Sequence, residues 1–322
     1  MTVKNKIIFI SGGAGFIGTH LTQRLASNNK IIIYDNFHRD ALSKSSIFSH
    51  KNVEIINGDI LDLELLKKSL PKADYIIHLA AIAGIDSVVK DPVKTIEINA
   101  IGTYYMLEAA KRLKCLKRFL YFSTSEVFGS KAYQVTEDDD AVLGKVGEPR
   151  WVYATGKFFS EHMIAAYAKK YKMPYSIIRP FNVYGPQQVG EGAVQVFIKK
   201  ALRDENIKII GDGGQIRTWT YIDDLLEGVF LCLTKKTSKN QVFNIANAQS
   251  QITILNLAKK IISLARSKSK TIHLPQKEVD VYLRVPKIDK AIKLLGFKPK
   301  VDLEDGLART IKWFRKNAKQ FV

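Results

Sequence analysis

Short runs of apolar residues recur along the first half of the chain. The run IIFIS covers 7–11, and each of the runs that follow it precedes a segment with helical spacing; they are IIIYD (31–35), VEIINGD (53–59), DYIIHLAA (74–81), RFLYFSTS (118–125) and YSIIRPFNVYG (175–185). Runs that stay apolar instead of alternating predict strands buried on both faces of a parallel sheet. Strands that alternate with helices predict an α/β fold with a Rossmann-type doubly wound sheet.

The pattern changes from about residue 194. Helix-like segments at 194–202 and 252–265 flank the turn-rich GDGGQIR (211–217), and the chain ends with a helix, a turn and a second helix. We therefore predict a dinucleotide-binding domain over 1–175, to which 215–245 returns. A smaller, interleaved C-terminal domain, mainly 176–322, is predicted to bind the substrate.

The composition is that of an ordinary globular protein, with 322 residues of which 46% are hydrophobic and 25% charged. Two cysteines, Cys115 and Cys232, are too few for a disulfide framework or a zinc site, so we expect a reducing compartment and no metal. No apolar run approaches the roughly 20 residues of a membrane helix, and the run that ends at Ile10 is too short for a signal peptide. We expect a cytoplasmic protein with no membrane partner.

The chain is strongly basic, with a net charge of +19. From Lys235 onward there are 20 Lys and Arg against 6 Asp and Glu, so most of the surplus lies in the C-terminal part. These charges are spread along helical patterns and form no dense basic tract, which predicts a solvated basic surface and no nucleic-acid partner. Such a surface also attracts an anionic small molecule.

The first strand leads into a glycine-rich turn at the start of a helix. Gly12, Gly15 and Gly18 are spaced as G-x-x-G-x-x-G and enclose Phe16 and Ile17. Glycine is needed where the backbone turns sharply and where it must approach a pyrophosphate, which the helix N-terminus attracts. Because the turn follows a strand and opens a helix, we predict that these five residues bind NAD.

The ends of the next three strands supply further candidate cofactor residues. Asp35 ends the second strand, where a carboxylate accepts hydrogen bonds from the adenosine ribose and repels a 2′-phosphate; this favours NAD over NADP, and no arginine follows nearer than Arg39. His78 is predicted to be packed and not catalytic. The other predicted cofactor residues at these strand ends are Asn36, Asp59, Ile60, Leu79, Ala80 and Ala81.

Candidate chemistry lies after the fifth strand. Ser123, Thr124 and Glu126 are at its carboxyl end, where ligands bind in such sheets, and Tyr153 and Lys157 follow four residues apart on one helix face. A lysine ammonium beside a phenol lowers the pKa of the phenol, so we expect Tyr153 to act as a base near neutral pH. Lys157 is also expected to hold the nicotinamide ribose.

Taken together, the motifs resemble those of the extended short-chain dehydrogenase/reductases, the nucleotide-sugar epimerase/dehydratase family. The resemblance covers nearly the whole length; besides the residues above it includes HLAA, Asn99 before Gly102, STSEVFG, YATGK, RPFNVYGP, GDGGQIRTWTYIDD and LLGFKPK.

The resemblance implies a role for each matching residue. Tyr153 takes the proton of the sugar 4-hydroxyl while NAD takes the hydride of carbon 4, Thr124 hydrogen-bonds that oxygen, and Asn99 belongs to the cofactor site. Asn182 lies near the sugar diphosphate, Arg217 and Arg284 bind the substrate phosphates, and Val196 lies in the segment that packs on the nucleotide base. A nucleotide-diphosphate sugar, with UDP as the expected nucleotide, and a homodimer formed through the Tyr-Lys helix are also implied. Asp223 and Asp224 are expected to cap the helix that follows them.

The outcome after oxidation at carbon 4 stays open between elimination and 4-epimerisation. Thr124-Ser125-Glu126 is similar to UDP-glucuronate decarboxylases and GDP-mannose 4,6-dehydratases, whereas 4-epimerases of the family usually have small residues there. Elimination beside a ketone needs a further acid or base, and Glu126 is the candidate; a structural acceptor is the alternative role. Against decarboxylation, 83–87 lacks the family's Ser-Pro-x-x-Tyr-like stretch, and Asp86 would oppose a hexuronate carboxylate. We favour elimination without separating dehydration from decarboxylation; a plain dehydrogenase or reductase and a non-enzymatic dinucleotide or RNA binder are remoter alternatives.

Overall fold

The computed structural model describes residues 3–70, 72–130, 132–275 and 281–318. Within them the strands are β1 (Ile7–Ser11), β2 (Lys30–Asp35), β3 (Val53–Asn57), β4 (Tyr75–His78), β5 (Arg118–Phe122), β6 (Ala132–Val135), β7 (Tyr175–Pro180), β8 (Val183–Tyr184), β9 (Ile207–Ile210), β10 (Ile216–Thr218), β11 (Thr220–Tyr221), β12 (Gln241–Ile245), β13 (Gln251–Thr253), β14 (Thr271–Leu274) and β15 (Leu283–Pro286). The α-helices are α1 (Phe16–Leu25), α2 (Leu63–Ser69), α3 (Ile85–Lys90), α4 (Pro92–Ile96), α5 (Gly102–Ala110), α6 (Arg150–Tyr171), α7 (Ala193–Leu202), α8 (Ile222–Thr234), α9 (Ile254–Ala265), α10 (Asp289–Leu295) and α11 (Leu303–Lys316). Short 3₁₀ helices cover Ser46–Ser49, Ser125–Phe128 and Lys236–Ser238, and a π-helical segment covers Glu97–Ile101.

Seven parallel strands form the central sheet, in the order β12-β7-β5-β4-β1-β2-β3. Successive residues of its strands are buried in two different apolar clusters: Ile8 and Ile10 of β1 belong to one, and Phe9 belongs to the other. This two-sided burial is the reason that the strands read as continuous apolar runs. The predicted α/β, Rossmann-type doubly wound sheet is confirmed.

The chain order reverses between β1 and β4. From β1 the chain proceeds to β2 and β3 on one side, and from β4 to β5, β7 and β12 on the other. In sheets of this kind the carboxyl ends of the two central strands diverge there and leave a crevice for ligands. The segments after β1, β4 and β5 therefore meet at one edge of the sheet.

Three smaller sheets complete the fold: β13-β10-β15-β6, β11-β8 and β14-β9. The chain passes between these sheets and the large one more than once. β6 lies before residue 175 but pairs with β15 in the four-stranded sheet, while β12, near the end of 215–245, forms the edge of the large sheet beside β7.

Two local predictions differ from the structure. The apolar run 175–185 is not one strand, because the backbone turns at Asn182, whose φ is +34°, and β8 then pairs with β11. The turn-rich segment 211–217 runs into β10, since its turn residues end at Gly214 and Arg217 already pairs with Arg284.

Asp223 and Asp224 lie in the first turn of α8 and do not supply its cap, because the helix begins after Tyr221 without a side-chain cap. Asp224 instead accepts hydrogen bonds from the amides of Lys300 and Val301, at 2.8 and 3.1 Å, and so ties the C-terminal segment to α8. Across the residues described, none of the helices combines the length and apolar character needed to span a membrane.

Candidate active site

A continuous cavity follows the carboxyl edge of the central sheet. It has two lobes of about 330 and 370 Å³, which share residues of the glycine-rich turn, Arg39 and the segment after β4. The first lobe lies beside β2 and β3, and its lining includes Asp35, Asn36, Ile60, Leu79, Ala80 and Ala81. The second lies beside β5 and is lined among others by Phe16, Ile17, Gly18, Ser123, Thr124, Glu126, Tyr153, Lys157, Asn182 and Arg284. Most of the residues predicted from the sequence are thus brought together.

The glycine-rich turn has the geometry that close backbone approach requires. Gly12 has φ +71°, and a Cβ on it would lie 2.5 Å from the amide nitrogen of Ala80. Its own amide donates to the carbonyl of Tyr34, so the turn is held between β2 and the segment after β4. The cradle at the start of α1 therefore depends on the missing side chain.

Replacing Gly12 by Ala should weaken NAD binding by about tenfold or more, because the new Cβ displaces the segment at Ala80 and with it the cradle. Gly296→Ala is the matched control, since Gly296 has φ +70° but nothing within 4 Å of a Cβ. Both variants should lose about 1 kcal/mol of stability from the left-handed backbone. Calorimetric titration with NAD checks the difference, and equal affinities of the two variants would contradict a cradle at Gly12.

The carboxylate of Asp35 lies in the first lobe in a fixed orientation. One of its oxygens accepts the amide of Ala14 at 2.9 Å and the other accepts the amide of Phe37 at 2.7 Å. Burial raises the pKa of Asp35, and these two hydrogen bonds oppose that effect. An oriented carboxyl group in this position is suited to ribose hydroxyls, as the sequence predicts.

Tyr153 and Thr124 both line the second lobe. Thr124 also accepts the amide of Glu126 at 3.1 Å and so begins the 3₁₀ helix after β5. Burial raises the pKa of Tyr153 to about 12, against the effects of Thr124 and of the charges of Arg39 and Arg284. The prediction that Lys157 lowers the pKa of Tyr153 is therefore wrong, because burial raises this pKa more than the neighbouring cations lower it.

Lys157 lies on the same helix but is engaged elsewhere. Its Nζ donates to the carbonyl of Phe122 at 2.8 Å and lies 4.7 Å from the centre of the Tyr121 ring. Burial lowers the pKa of Lys157 to about 7, while Glu161 one turn further along α6 raises it. The ammonium is thus held at the end of β5, where it lines the second lobe.

Glu126 is bound by arginines. Arg284 donates to both carboxylate oxygens, one of them at 2.9 Å, and Nη2 of Arg150 lies 3.6 Å from the carboxylate. The charges of these two arginines and of Arg217 hold the pKa of Glu126 below its ordinary value, in spite of burial. Since both oxygens are occupied, Glu126 is described better as the ionised partner of Arg284 than as a free acid or base. Arg284 lines the second lobe within this pair, and its contact with a substrate phosphate stays a prediction.

Four of the predicted site residues are not in the cavity lining. Asp59 accepts the amide of Leu61, and Arg217 donates to backbone carbonyls of Ile216 and Tyr282. Asn99 is buried in the π-helical segment and bonds both the amide and the carbonyl of Ile82, so it holds the chain after β4 and acts on the cavity only through that segment. Val196 packs against the core from α7.

His78 is packed, as predicted. It is fully buried between the side chains of Ser11, at 2.6 Å, and Thr103, at 3.1 Å. Burial lowers the pKa of His78 to about 3, so the ring is neutral.

Three side chains in or beside the cavity were not predicted from the sequence. Arg150, which contacts Glu126, lies one helical turn before Tyr153. This spacing places Arg150 and Tyr153 on the same helix face and could have been read from the sequence. Arg39 lines both lobes, and Gln188 lines the second. The Oε1 atom of Gln188 is buried without a partner among the described residues, and no local pattern marks it.

The model of the NAD dependent epimerase/dehydratase family matches residues 8–246. The chain belongs to this family. It is 34% identical over 320 residues to a UDP-N-acetyl-alpha-D-glucosaminuronate decarboxylase of Bacillus cytotoxicus, covering 96% of this chain and 98% of the relative. It is 36% identical to UDP-glucuronic acid decarboxylase 1 of Danio rerio, covering 96% of this chain and 72% of that protein.

Among solved structures, the fold is similar to UDP-glucuronic acid 4-epimerase of Bacillus cereus in complex with UDP-glucuronic acid and NAD. The TM-score is 0.88 at 32% identity, over 97% of this chain and 99% of that one. The cofactor of the family, NAD, fits the residues present here: the cradle at Gly12, the oriented carboxyl group of Asp35 and the buried, unpartnered hydroxyl of Ser123 line one cavity.

Proposed function

We propose that this protein is a nucleotide-sugar lyase that oxidises carbon 4 of a UDP-hexuronate with retained NAD and then removes carbon 6 as CO2. The support has two parts. The second lobe joins Tyr153 and Thr124 to the residues that fit NAD, and Arg284, which also lines this lobe, suits an acidic sugar. The single observation that carries the choice of reaction is the bidentate pair between Glu126 and Arg284.

Tyr153 and Thr124 are suited to bind the 4-hydroxyl group of the sugar. Both side chains line the second lobe at the end of β5, and Lys157, held by the carbonyl of Phe122, would contact the nicotinamide ribose when NAD is bound. NAD, when bound, supplies a hydride acceptor for carbon 4 and a positive ring that lowers the pKa of a nearby phenol. Tyr153 then takes the hydroxyl proton as a general base and later returns it.

The acids around the cavity favour decarboxylation over dehydration. Among the described lining residues the carboxylic acids are Asp35, in the first lobe, and Glu126, which is ionised and bound to Arg284. Loss of water from carbons 5 and 6 needs a protonated group to assist the leaving hydroxyl, and Ser125 stands where the dTDP-glucose 4,6-dehydratases have aspartate. A departing CO2 needs no such acid.

The bonds and electrons of a decarboxylation balance once carbon 4 is a ketone. The carbon 5–carbon 6 bond breaks, its electron pair moves onto carbon 5 and the carbon-4 oxygen, and CO2 leaves. Carbon 5 then takes a proton, and carbon 4 is reduced back to the alcohol. The guanidinium of Arg284, which lines the second lobe, would attract the carboxylate of the bound substrate.

Asp86, which was expected to oppose a hexuronate carboxylate, lies away from the cavity. Asp86 is exposed at the start of α3 and is absent from the lining of both lobes. Its charge therefore does not face a hexuronate bound beside Glu126. The 4-epimerase remains the second candidate, because the similar solved structure is that of a UDP-glucuronic acid 4-epimerase.

Product analysis separates these reactions. The protein with NAD is incubated with UDP-glucuronate, UDP-N-acetylglucosaminuronate, UDP-glucose and dTDP-glucose, and the products are resolved by chromatography and mass spectrometry. We expect the mass of CO2 to be lost from one of the hexuronates. Loss of the mass of water would indicate dehydration, and a new peak of unchanged mass would indicate epimerisation; either would overturn the proposed reaction.

We also propose that two copies associate through α4, α5 and α6. Large apolar side chains are exposed on these helices and on the π-helical segment between them: Val93, Ile96, Ile101, Tyr104 and Phe159. Such a contiguous apolar surface is typical of an interface.

Cys115 and Cys232 are unpaired, which favours a cytoplasmic location.

Phe159→Asp should shift the protein from dimer to monomer in sedimentation velocity, because Phe159 is an exposed apolar side chain of α6, with 55% of its surface accessible. Phe48→Asp is the control, since Phe48 is 41% exposed on a 3₁₀ helix outside it. A Phe159→Asp variant that sediments like the wild type would refute an interface on these helices.

A further inference from the structure

Three segments distant in sequence meet at the mouth of the cavity. They are the loop after β2 with Arg39, the first turn of α3 with Ser87, and the loop before α7 with Glu191. Nη2 of Arg39 donates to Glu191 at 2.8 Å and to Ser87 at 3.1 Å. Glu191 also accepts the amide of Asp86 at 3.0 Å and the hydroxyl of Ser87. We call Arg39, Ser87 and Glu191 the clasp.

The backbone around the clasp is shaped to bring these groups together. Gly84 has φ +100° and Gly190 has φ +96°, which are conformations that favour glycine. A Cβ on Gly190 would lie 2.8 Å from Nη1 of Arg39, and one on Gly84 would collide with the carboxylate of Glu191. Both glycines therefore permit a contact that any side chain would disturb.

The clasp lies over the passage between the two lobes. Gly12, Gly15 and Arg39 line both lobes, and Ser87 lines the first. The clasp, through Arg39, therefore lies where the two lobes adjoin. A dinucleotide that extends from Asp35 to Ser123 would pass Arg39.

The clasp is built to open. The side chains of Arg39 and Glu191 are 30% and 26% exposed, and a partly exposed ion pair contributes little to folding stability. It links a loop of the NAD-binding sheet to the segment that leads into α7, so breaking it frees one side of the passage. These are the properties of a contact that forms over a bound ligand and releases it.

We propose that the clasp closes over bound NAD and the oxidised sugar and keeps both in the cleft throughout a catalytic cycle. The proposal deepens the proposed function and rests on it, because a reaction that begins and ends with the same redox state of the cofactor fails if either one leaves midway. Arg39 and Glu191 are positioning residues in this role, which is separate from the proton transfers at Tyr153.

Release of the cofactor tests the clasp without any sugar. The protein is loaded with NADH, mixed rapidly with excess NAD, and the loss of bound-NADH fluorescence is followed. Glu191→Gln should release NADH about tenfold faster than the wild type, because removing one charge of a pair acts mainly on the off-rate. Raising the salt concentration should speed release from the wild type and have much less effect on the variant.

Asp223→Asn is the matched control, because it breaks the exposed pair with Arg24, at 2.7 Å, between α1 and α8 and outside the cavity lining. It should release NADH at the wild-type rate. Arg39→Met provides a second break of the clasp should Glu191→Gln fold poorly.

During turnover of the hexuronate, Glu191→Gln should in addition lose activity that added NAD restores and should release oxidised sugar. Release rates in Glu191→Gln and Arg39→Met equal to that of the wild type would overturn the clasp even if decarboxylation is observed. If these variants release NADH faster but the protein turns over no hexuronate, the clasp closes over the cofactor and the proposed reaction is wrong.

Discussion

Tyr153→Phe should lower turnover about 10³-fold while leaving NAD affinity nearly unchanged. The reason is that the phenol is the group placed to move the proton of the sugar 4-hydroxyl, and general acid–base catalysis contributes on this scale. The turn at Gly12 and the carboxylate of Asp35, which we propose as the main contacts of NAD, are not touched by the substitution. Steady-state product formation and calorimetric NAD titration give the two quantities.

The control for this variant is Tyr171→Phe. Tyr171 ends the same helix, α6, and lies outside both cavity lobes, so its substitution changes the same atoms without approaching the site. It should retain wild-type turnover. Substantial turnover by Tyr153→Phe would assign the proton transfer to another group and would contradict the arrangement described for the second lobe.

Glu126→Gln should lower decarboxylation, because Arg284 loses the carboxylate that positions it at the second lobe, and should also destabilise the protein. The substitution leaves Arg284 and Arg150 beside a neutral amide, and breaking a largely buried ion pair costs about 3 kcal/mol in the free energy of unfolding. Since the folded-state pKa of Glu126 is lowered, the stability that the pair contributes is present above the ordinary carboxyl pKa and is lost as the pH falls through the folded value. Denaturant unfolding at neutral and acidic pH measures both effects.

Two further variants separate stability from chemistry. Glu54→Gln, which breaks an exposed pair with Lys30, should change stability by less than about 1 kcal/mol. The double substitution Glu126→Gln with Arg284→Met should recover part of the lost stability, because it removes an uncompensated cation, but it should not recover decarboxylation. Recovery of activity by the double variant would show that the pair has a structural role alone.

The order of the elements in the central sheet was predictable because its signals are local. Unbroken apolar runs mark strands buried on both faces, and the spacing of Gly12, Gly15 and Gly18 after β1 marks the turn into α1. Tyr153 and Lys157 were identified for the same reason, since their spacing on one helix is visible in the sequence. The lining of the cavity follows largely from these elements.

The electrostatics of the site were not predictable in the same way. Whether Lys157 lowers the pKa of Tyr153 depends on burial, which the spacing of the two residues does not reveal. Glu126 and Arg284 are 158 positions apart, and their contact arises because β15 is brought beside the 3₁₀ helix after β5 through the four-stranded sheet. Arg39 and Glu191 are 152 positions apart and join only in the folded chain.

The contacts of residues that were inferred from the family resemblance could not be predicted from the sequence either. Arg217 lies behind β15 with its guanidinium on backbone carbonyls, and Asn99 holds the chain at Ile82 from within a π-helical segment. Both act on the site through neighbouring structure. A motif match identified their positions, but the partners of each side chain depend on the packing of other elements.

The most direct test of the account follows a deuterium atom at carbon 4 of UDP-glucuronate or UDP-N-acetylglucosaminuronate. The protein is incubated with the labelled sugar nucleotide and a trace of NAD, and the product is characterised by mass spectrometry and NMR. The account predicts a UDP-pentose that has lost the mass of CO2 and keeps the deuterium at carbon 4, with no net change in the cofactor. A labelled six-carbon product of unchanged mass, or decarboxylation with the deuterium lost to solvent or to free cofactor, would contradict it.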